Sequence, residues 1–554
     1  MGNAWARIPR PFVGLVLGLC FGLPSALAQI PGKEAPAPAP SGSAQQSSAQ
    51  PGSAPAAQAK IFDINEYVVD GNTVLSIPEI EEAVYPFLGE GRSADDVDKA
   101  RAALEDVYQA RGYQTVQVNI PPQGVESGVI HLQVVENPVG RLRVVDSHYH
   151  LPSEIKATAP SVAEGTVPNM TEVQKDIVTL NQQADLKVTP QLKAGDVPGT
   201  VDVDLKVQDT LPLHASVEVN NQYNQDTTPL RVVGSISYDN LWQLGHSISF
   251  SYQAAPENLN DAEVYSGTYL ARLPGTPVSL LFYGVKSDSD VAALAGTDVV
   301  GKGTIFGLRA VVNLLGSDTF YHSFTAGIDR KDLAQNVVTG GVPSNAPVLY
   351  YPMTLAYSAT VQDGDTTTQA DASLNFALQG AGSGSVKFDA QRFEAMREYF
   401  YFKADASRTQ PLPWWGLVAY GKVQGQITGD SLVSSEQFSA GGENTVRGYL
   451  EAERLGDYGA QTTLELRSPS FGKYISSRIN DWHFLIFADG ATLWLRQPLS
   501  GESESSQMAG VGAGMRLTAL DDFNAAVDFA FPLVKGAVSQ TGDMRVHFRV
   551  WSGF

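Results

Sequence analysis

Two short stretches in the C-terminal half of the chain carry charge where charge is least expected. Val446-Arg447-Gly448-Tyr449 sits inside a long acidic, glycine-rich loop, and Phe487-Ala488-Asp489-Gly490 ends an otherwise apolar strand-like run. An arginine and an aspartate can form a charge-assisted, bidentate hydrogen-bonded pair. Gly448 permits close backbone approach and Tyr449 offers a ring to pack against a wall. The chemistry on offer is therefore charge pairing rather than bond making. Two readings of it stand: a loop of 428–458 folded inward so that Arg447 meets Asp489, or a surface loop with an arginine unrelated to that aspartate.

Enzyme signatures are missing elsewhere. No HExxH pair, P-loop lysine motif or GxSxG elbow occurs, "GAGSGS" at 380–385 lacks the first glycine of that elbow, and "GVGAG" at 510–514 has no helix after it. His148 and His150 share a strand face with metal-like spacing, but no further ligand is evident, and solvated loop histidines are the expectation. No catalytic residue, metal or cofactor is expected.

The elements that hold these stretches follow from composition and period. The chain has 554 residues, 43% hydrophobic and 18% charged, with 52 glycines, 21 tyrosines, 23 phenylalanines and a net charge of −21. That charge argues against nucleic acid, which wants basic patches. Residues 1–28 have the form of an export signal: Arg7 and Arg10, an apolar run from Phe12 to Leu23, and Ala26-Leu27-Ala28 as the cleavage site. The single cysteine, Cys20, lies within it, so the mature chain has no thiol for disulfides, thiolate metal sites or nucleophilic catalysis. Residues 29–59 are Pro/Ala/Ser/Gln-rich, a linker with too little apolar surface to order itself.

From Lys60 the period changes. A strand and a turn at Asp70-Gly71-Asn72 precede a helix from Ile77, with Pro78 in its first turn. A second helix is capped by Ser93 with Asp96 three residues on, and the strands "QTVQVNI" and "GVIHLQVVE" follow. A degraded copy of this order fills the next stretch, so two tandem α+β modules are expected at 60–137 and 138–208. From 209 to 554 helical period gives way to alternation: about sixteen strands, from "HASVEVNN" to "MRVHFRVWSGF", of the ~9–11 residues that a tilted membrane strand needs. No stretch after the leader approaches the ~18 apolar residues of a spanning helix. The expected fold is a transmembrane β-barrel of about sixteen antiparallel strands behind two α+β modules.

VRGY, preceded by "FSAGGENT" and followed by "GDYG", resembles the loop-6 motif of the two-partner secretion transporters (the TpsB, ShlB/FhaC/HecB type) of the BamA-like superfamily. FADG resembles that family's strand motif, whose aspartate pairs with the loop arginine. "VVDGNTVLS", "YQARGY", "IPPQ" and "GVIHLQVVE" resemble its first POTRA module, and "LKAGDVPGTVDVDLKVQD" its second. The resemblance spans about residues 60 to 554. It implies an outer-membrane transporter of a Gram-negative bacterium, monomeric, surrounded by lipid and inserted by the outer-membrane assembly machinery. Its periplasmic modules would take an unfolded client, a large exoprotein such as a haemolysin or adhesin, and pass it through the barrel. The alternatives are an assembly factor for other barrels, whose relatives tend to carry three or five modules, and a passive porin or plugged nutrient receptor. Family members often carry a plug helix before the linker, whereas 29–59 shows no amphipathic stretch. A wet lumen is expected to screen the Arg447–Asp489 pair to about 1–2 kcal/mol, near the value for exposed pairs.

Overall fold

A computed structural model describes residues 61–554, apart from 182, 184, 226, 290, 295–296, 301, 315, 318, 340–341 and 378–379. The expected export signal at 1–28, with Cys20, and the linker at 29–59 lie outside the described residues. The chain separates into two compact units that part between Leu211 and Pro212.

The first α+β module begins with β1 (Phe62–Ile64) and β2 (Glu66–Asp70), followed by α1 (Ile77–Val84), β3 (Gly89–Arg92), α2 (Ala94–Ala110), β4 (Gln117–Asn119) and β5 (Val129–Val135). β5 is the central strand, parallel to β2 and antiparallel to β4, while β1 pairs with β3 in a separate ribbon. Both helices start where their capping residues stand. Ser76 with Glu79, and Ser93 with Asp96, form reciprocal capping boxes that satisfy the first free N–H groups. Val97, Ala100, Leu104 and Tyr108 then bury one face of α2 against Ile130, Leu132 and Val134 of β5. Gly71 is required at its turn: its φ is +88° and a β-carbon there would overlap the Val134 carbonyl oxygen. The ribbon strand β3 was not anticipated, because its "GEGR" has neither apolar alternation nor β-branched residues.

The second α+β module repeats the order with β6 (Val139–Val145), α3 (Pro152–Thr158), α4 (Met170–Leu180), β7 (Leu186–Ala194) and β8 (Val201–Asp209), the sheet running β6-β8-β7. β8 ends at Asp209, one residue past the expected boundary. Asp209 also accounts for the two histidines. Its carboxylate accepts the backbone N–H groups of His148, Tyr149 and His150 at 2.6–3.1 Å, and the ring of His150 lies 3.3 Å away. Burial opposes charge on Asp209, but these backbone donors outweigh it and hold its carboxyl below the usual range.

On the sheet, Arg143 of β6 makes a two-pronged bond to Asp204 of β8 at 2.8 and 2.9 Å, and Lys193 of β7 adds a third at 2.6 Å. The Arg143 and Lys193 hydrogen bonds lower the Asp204 pKa to about 2. The folded-state value lies below the ordinary ~3.9, so this contribution to stability is complete above about pH 4 and is lost as pH falls from there toward 2. Hydrogen exchange of residues 139–209 in the full chain should therefore accelerate across that window, and the Asp204→Asn variant should lose the acid dependence.

The second unit is a closed barrel. Its strands are β9 (Leu213–Asn220), β10 (Arg231–Leu241), β11 (His246–Ala254), β12 (Glu263–Arg272), β13 (Val278–Ser287), β16 (Lys302–Asn313), β17 (Phe320–Thr339), β18 (Val342–Tyr350), β19 (Pro352–Asp363) and β20 (Thr366–Ala377). The ring continues with β21 (Phe400–Pro411), β22 (Val418–Thr428), β25 (Tyr458–Arg467), β26 (Ile479–Trp494), β27 (Ser505–Ala519), β28 (Phe523–Pro532) and β29 (Arg545–Gly553). Short elements lie between them: the hairpin β14 (Val291–Leu294) and β15 (Thr297–Val300), helix α5 (Ser385–Gln391), strands β23 (Phe438–Ala440) and β24 (Arg454–Gly456), and the single turn α6 (Gly472–Ile475). β18 and β19 pair with successive halves of β17 and form one strand broken at Tyr351, so the ring has sixteen strands, with β29 closing on β9.

Alternation assigns the two faces. Val217, Ile236, Phe250, Phe282, Phe306, Ile328, Ile427, Leu464, Ile486 and Phe529 are exposed on the outside, the belt that lipid covers. Between them the side chains turn inward. Ser216, Ser235, Ser251 and Ser266 stand directly opposite one another on four successive strands, with Ser216 and Ser235 hydrogen-bonded at 2.6 Å. Sixteen segments of the sequence alternate in this way. The extension of β17 and all of β18 did not stand out among them, because the glycines and prolines of "TGGVPSNAP" have the composition of a loop.

Candidate functional site

The loop from β22 to β25 turns into the barrel instead of away from it. Its arms pair as β23 and β24 over three residues, and Gly441 and Gly442, with φ of +109° and +112°, turn the tip beyond that stem. Val446 and Tyr449 are fully buried at the tip, in a cluster with Phe438, Ala491, Leu493 and Met508.

Arg447 is 3% exposed and is held by three strands at once. Its Nε and Nη2 donate to Asp489 of β26 at 2.7 and 2.9 Å, and its own backbone N–H adds a third bond to that carboxylate at 3.1 Å. Nη1 donates to Glu465 of β25 at 2.8 Å and reaches Asp528 of β28 at 3.4 Å. The guanidinium lies over the Phe487 ring, 3.6 Å from its centroid, an arrangement that adds cation–π attraction. Charge is balanced across this cluster. Arg467 bonds Glu465 at 2.7 and 2.9 Å, and Arg516 bonds Asp528 at 2.6 and 2.9 Å, so three arginines meet three carboxylates.

The neighbours of Arg447 dock the backbone. Gly448, with φ +98°, donates its N–H to His547 Nε2 at 3.0 Å, and a β-carbon there would press on Pro532 at 3.0 Å. The Tyr449 hydroxyl sits 2.6 Å from the Val534 carbonyl oxygen and accepts the Ala509 N–H at 3.2 Å. Further up, Asp457 receives both Nη atoms of Arg392 at 2.7 and 2.8 Å, and Glu453 accepts from Ser539 Oγ at 2.6 Å. The structure thus brings Val446, Arg447, Gly448, Tyr449, Phe487 and Asp489 together. It gives Gly490 no such role, since a β-carbon there would meet nothing nearer than 3.8 Å.

Two corrections follow. The pair is not in a wet setting, because the Asp489 side chain is wholly buried, so the screened estimate gives way to the ~3–5 kcal/mol expected when a buried pair is broken. Sequence reasoning also missed Glu465 and Asp528. The signal was present: each is a lone acid on an apolar strand, in "TTLELR" and "AAVDFAF", as Asp489 is in "LIFADG".

A sixteen-stranded barrel that holds its own loop inside, in a chain that also folds small α+β modules, defines a class of membrane-spanning β-barrel proteins. Residues 199–517 match the model of the haemolysin secretion/activation protein ShlB/FhaC/HecB family, and the chain belongs to that family. Residues 62–137 match the POTRA domain, ShlB-type. Among relatives, the outer membrane transporter CdiB of Dickeya dadantii is 23% identical over 519 residues, covering 90% of this chain and 88% of the relative. The heme/hemopexin transporter protein HuxB of Haemophilus influenzae is 22% identical over 492 residues, covering 86% and 84%. The solved structure of CdiB from Escherichia coli shares the fold with a TM-score of 0.65 at 19% identity, covering 91% of this chain and 93% of that one. The protein is a two-partner secretion transporter of the outer membrane, with its POTRA module on the periplasmic side.

Proposed function

We propose that the protein exports one large, unfolded exoprotein of the haemolysin or adhesin kind, and that the Arg447 cluster is the latch that seats the loop in the conduit. The observation that carries this reading is the burial of a charged loop tip against three strands of the barrel wall, a costly arrangement for a loop with no part in transit. Residues 138–208 act as a second POTRA module in this reading, and with 60–137 they receive the client. Among the described residues β2 pairs with β5 alone, and its other edge is one to which an extended chain can add as a strand. Backbone pairing of that kind makes little demand on client sequence. The transporter has no catalytic part of its own, and folding of the client outside biases its movement.

The test is proteomics of culture supernatant and outer membrane with and without this chain. Loss of one large secreted protein, with other barrels unchanged, is the expected result. A broad fall in outer-membrane barrels would make the protein an assembly factor, and loss of small-solute uptake alone would make it a porin.

A further inference from the structure

The loop is fixed at a second place, on a different part of the wall. Glu436 lies on its descending arm, and its carboxylate, 2% exposed, is surrounded by donors from three strands that the Arg447 cluster does not use. Lys331 of β17 pairs with Oε1 at 2.5 Å, Tyr350 of β18 donates to Oε1 at 2.7 Å, and Tyr401 of β21 donates to Oε2 at 2.9 Å. Gln426 of β22 accounts for the backbone as well, giving its amide to the carbonyl oxygens of both Glu436 and Asp457 at 3.0 Å. A buried carboxylate with one cation and two hydroxyls is fully provided for. Removing its charge would leave Lys331, which is partly buried, without the counter-ion it has here.

The same tyrosine also meets the segment that carries α5. The Tyr350 ring meets Phe388 of α5 edge-on at 5.7 Å and Tyr399 at 6.4 Å, and Tyr399 stacks on Tyr401 at 6.0 Å. Phe388, Tyr399, Leu432 and Val433 are buried together there, so the segment carrying α5 rests on the residues that hold Glu436. Tip and arm are thereby tied to opposite stretches of the strand order, β25–β28 and β17–β21.

We infer that Glu436 is a second positioning residue of the transporter: with Lys331, Tyr350 and Tyr401 it pins the descending arm and the α5 segment, and it must release, separately from Arg447, before the conduit clears. The inference rests on the transport reading for its purpose, but the anchor is measurable without a client. The experiment compares the full-length protein with Glu436→Gln and with Glu436→Gln/Lys331→Met in planar lipid bilayers, after heat-modifiability on gels confirms a folded barrel. Glu436→Gln should raise the time-averaged conductance about tenfold with Arg447 untouched, and the double variant, which removes the stranded cation, should return toward the parent value. Return in the double variant ties the rise to the Glu436–Lys331 pair, since a general loosening of the barrel would not be reversed by a further substitution at that one partner. Should Glu436→Gln fail to insert, Tyr401→Phe, which keeps the ion pair and removes one hydroxyl, carries the same comparison with a smaller rise. Unchanged conductance in a folded variant overturns the assignment. Secretion measured in parallel separates the two ideas: if loss of the whole chain leaves every exoprotein in the supernatant, the transport reading fails while the conductance result still stands.

Discussion

Arg447→Ala should give a barrel that inserts and resists unfolding like the parent but secretes almost nothing. The physical argument lies in what each carboxylate keeps. Asp528 retains Arg516 and Glu465 retains Arg467, both with two hydrogen bonds, so neither is left bare. Asp489 loses both guanidinium bonds and keeps the backbone N–H at position 447 and the Thr463 hydroxyl, neither of which carries a charge. Breaking a buried pair in this way costs about 3–5 kcal/mol, which lowers the docked population of the loop by about a hundredfold or more. The cost falls on the loop because the strand ladders around it do not depend on that side chain. Immunoblots of supernatant and heat-modifiability of the outer-membrane fraction measure the two halves of the prediction. Normal secretion from a folded variant would remove the latch role.

The second large effect comes from a residue with no charge. Gly510 of β27 lies under the loop, and a β-carbon added there would overlap the Arg447 carbonyl oxygen, a backbone atom that cannot swing away. Gly510→Val should therefore lift the tip off the wall and reduce secretion as severely as Arg447→Ala, although every ionisable group remains. Valine suits a strand, so the ladder itself should tolerate it. Gly234→Val in β10 is the matched control, since a β-carbon there meets nothing within 4 Å. Secretion from the Gly510 variant at the level of the control would mean that loop position does not govern transport.

Much of this architecture is legible in the sequence, for identifiable reasons. The helices of the first module are legible because their start signals, Pro78 in the first turn of one and Ser93 with Asp96 in the other, are local, and local chemistry is visible in a window of a few residues. The membrane strands show because lipid on one face and polar lumen on the other force a period of two. What stayed hidden is set by partners far away in the chain. β18 exists because β17 is long enough to pair it, whatever the two prolines of its own sequence prefer. Glu465 and Asp528 are ordinary lone acids until the closed ring brings β25 and β28 to the same arginine. Glu436, in "SSEQF", gave no signal at all, because its three donors are scattered over Lys331, Tyr350 and Tyr401.

The partners of the loop tip also set an order of assembly. Asp489 lies 42 residues beyond Arg447, but Asp528 lies 81 residues beyond it, and His547, which receives the Gly448 N–H, lies 99 beyond that glycine. Closing such wide intervals is entropically expensive unless the intervening chain is already laid down. The tip can seat fully only once β28 and β29 are in place, which is also when β29 meets β9 and the ring closes. A seated loop is therefore a record of completed synthesis. A chain cut before its last two strands lacks Asp528 and the His547 acceptor of the Gly448 N–H, and it would present a partly seated tip and an unsealed edge together, both of which mark it as unfinished.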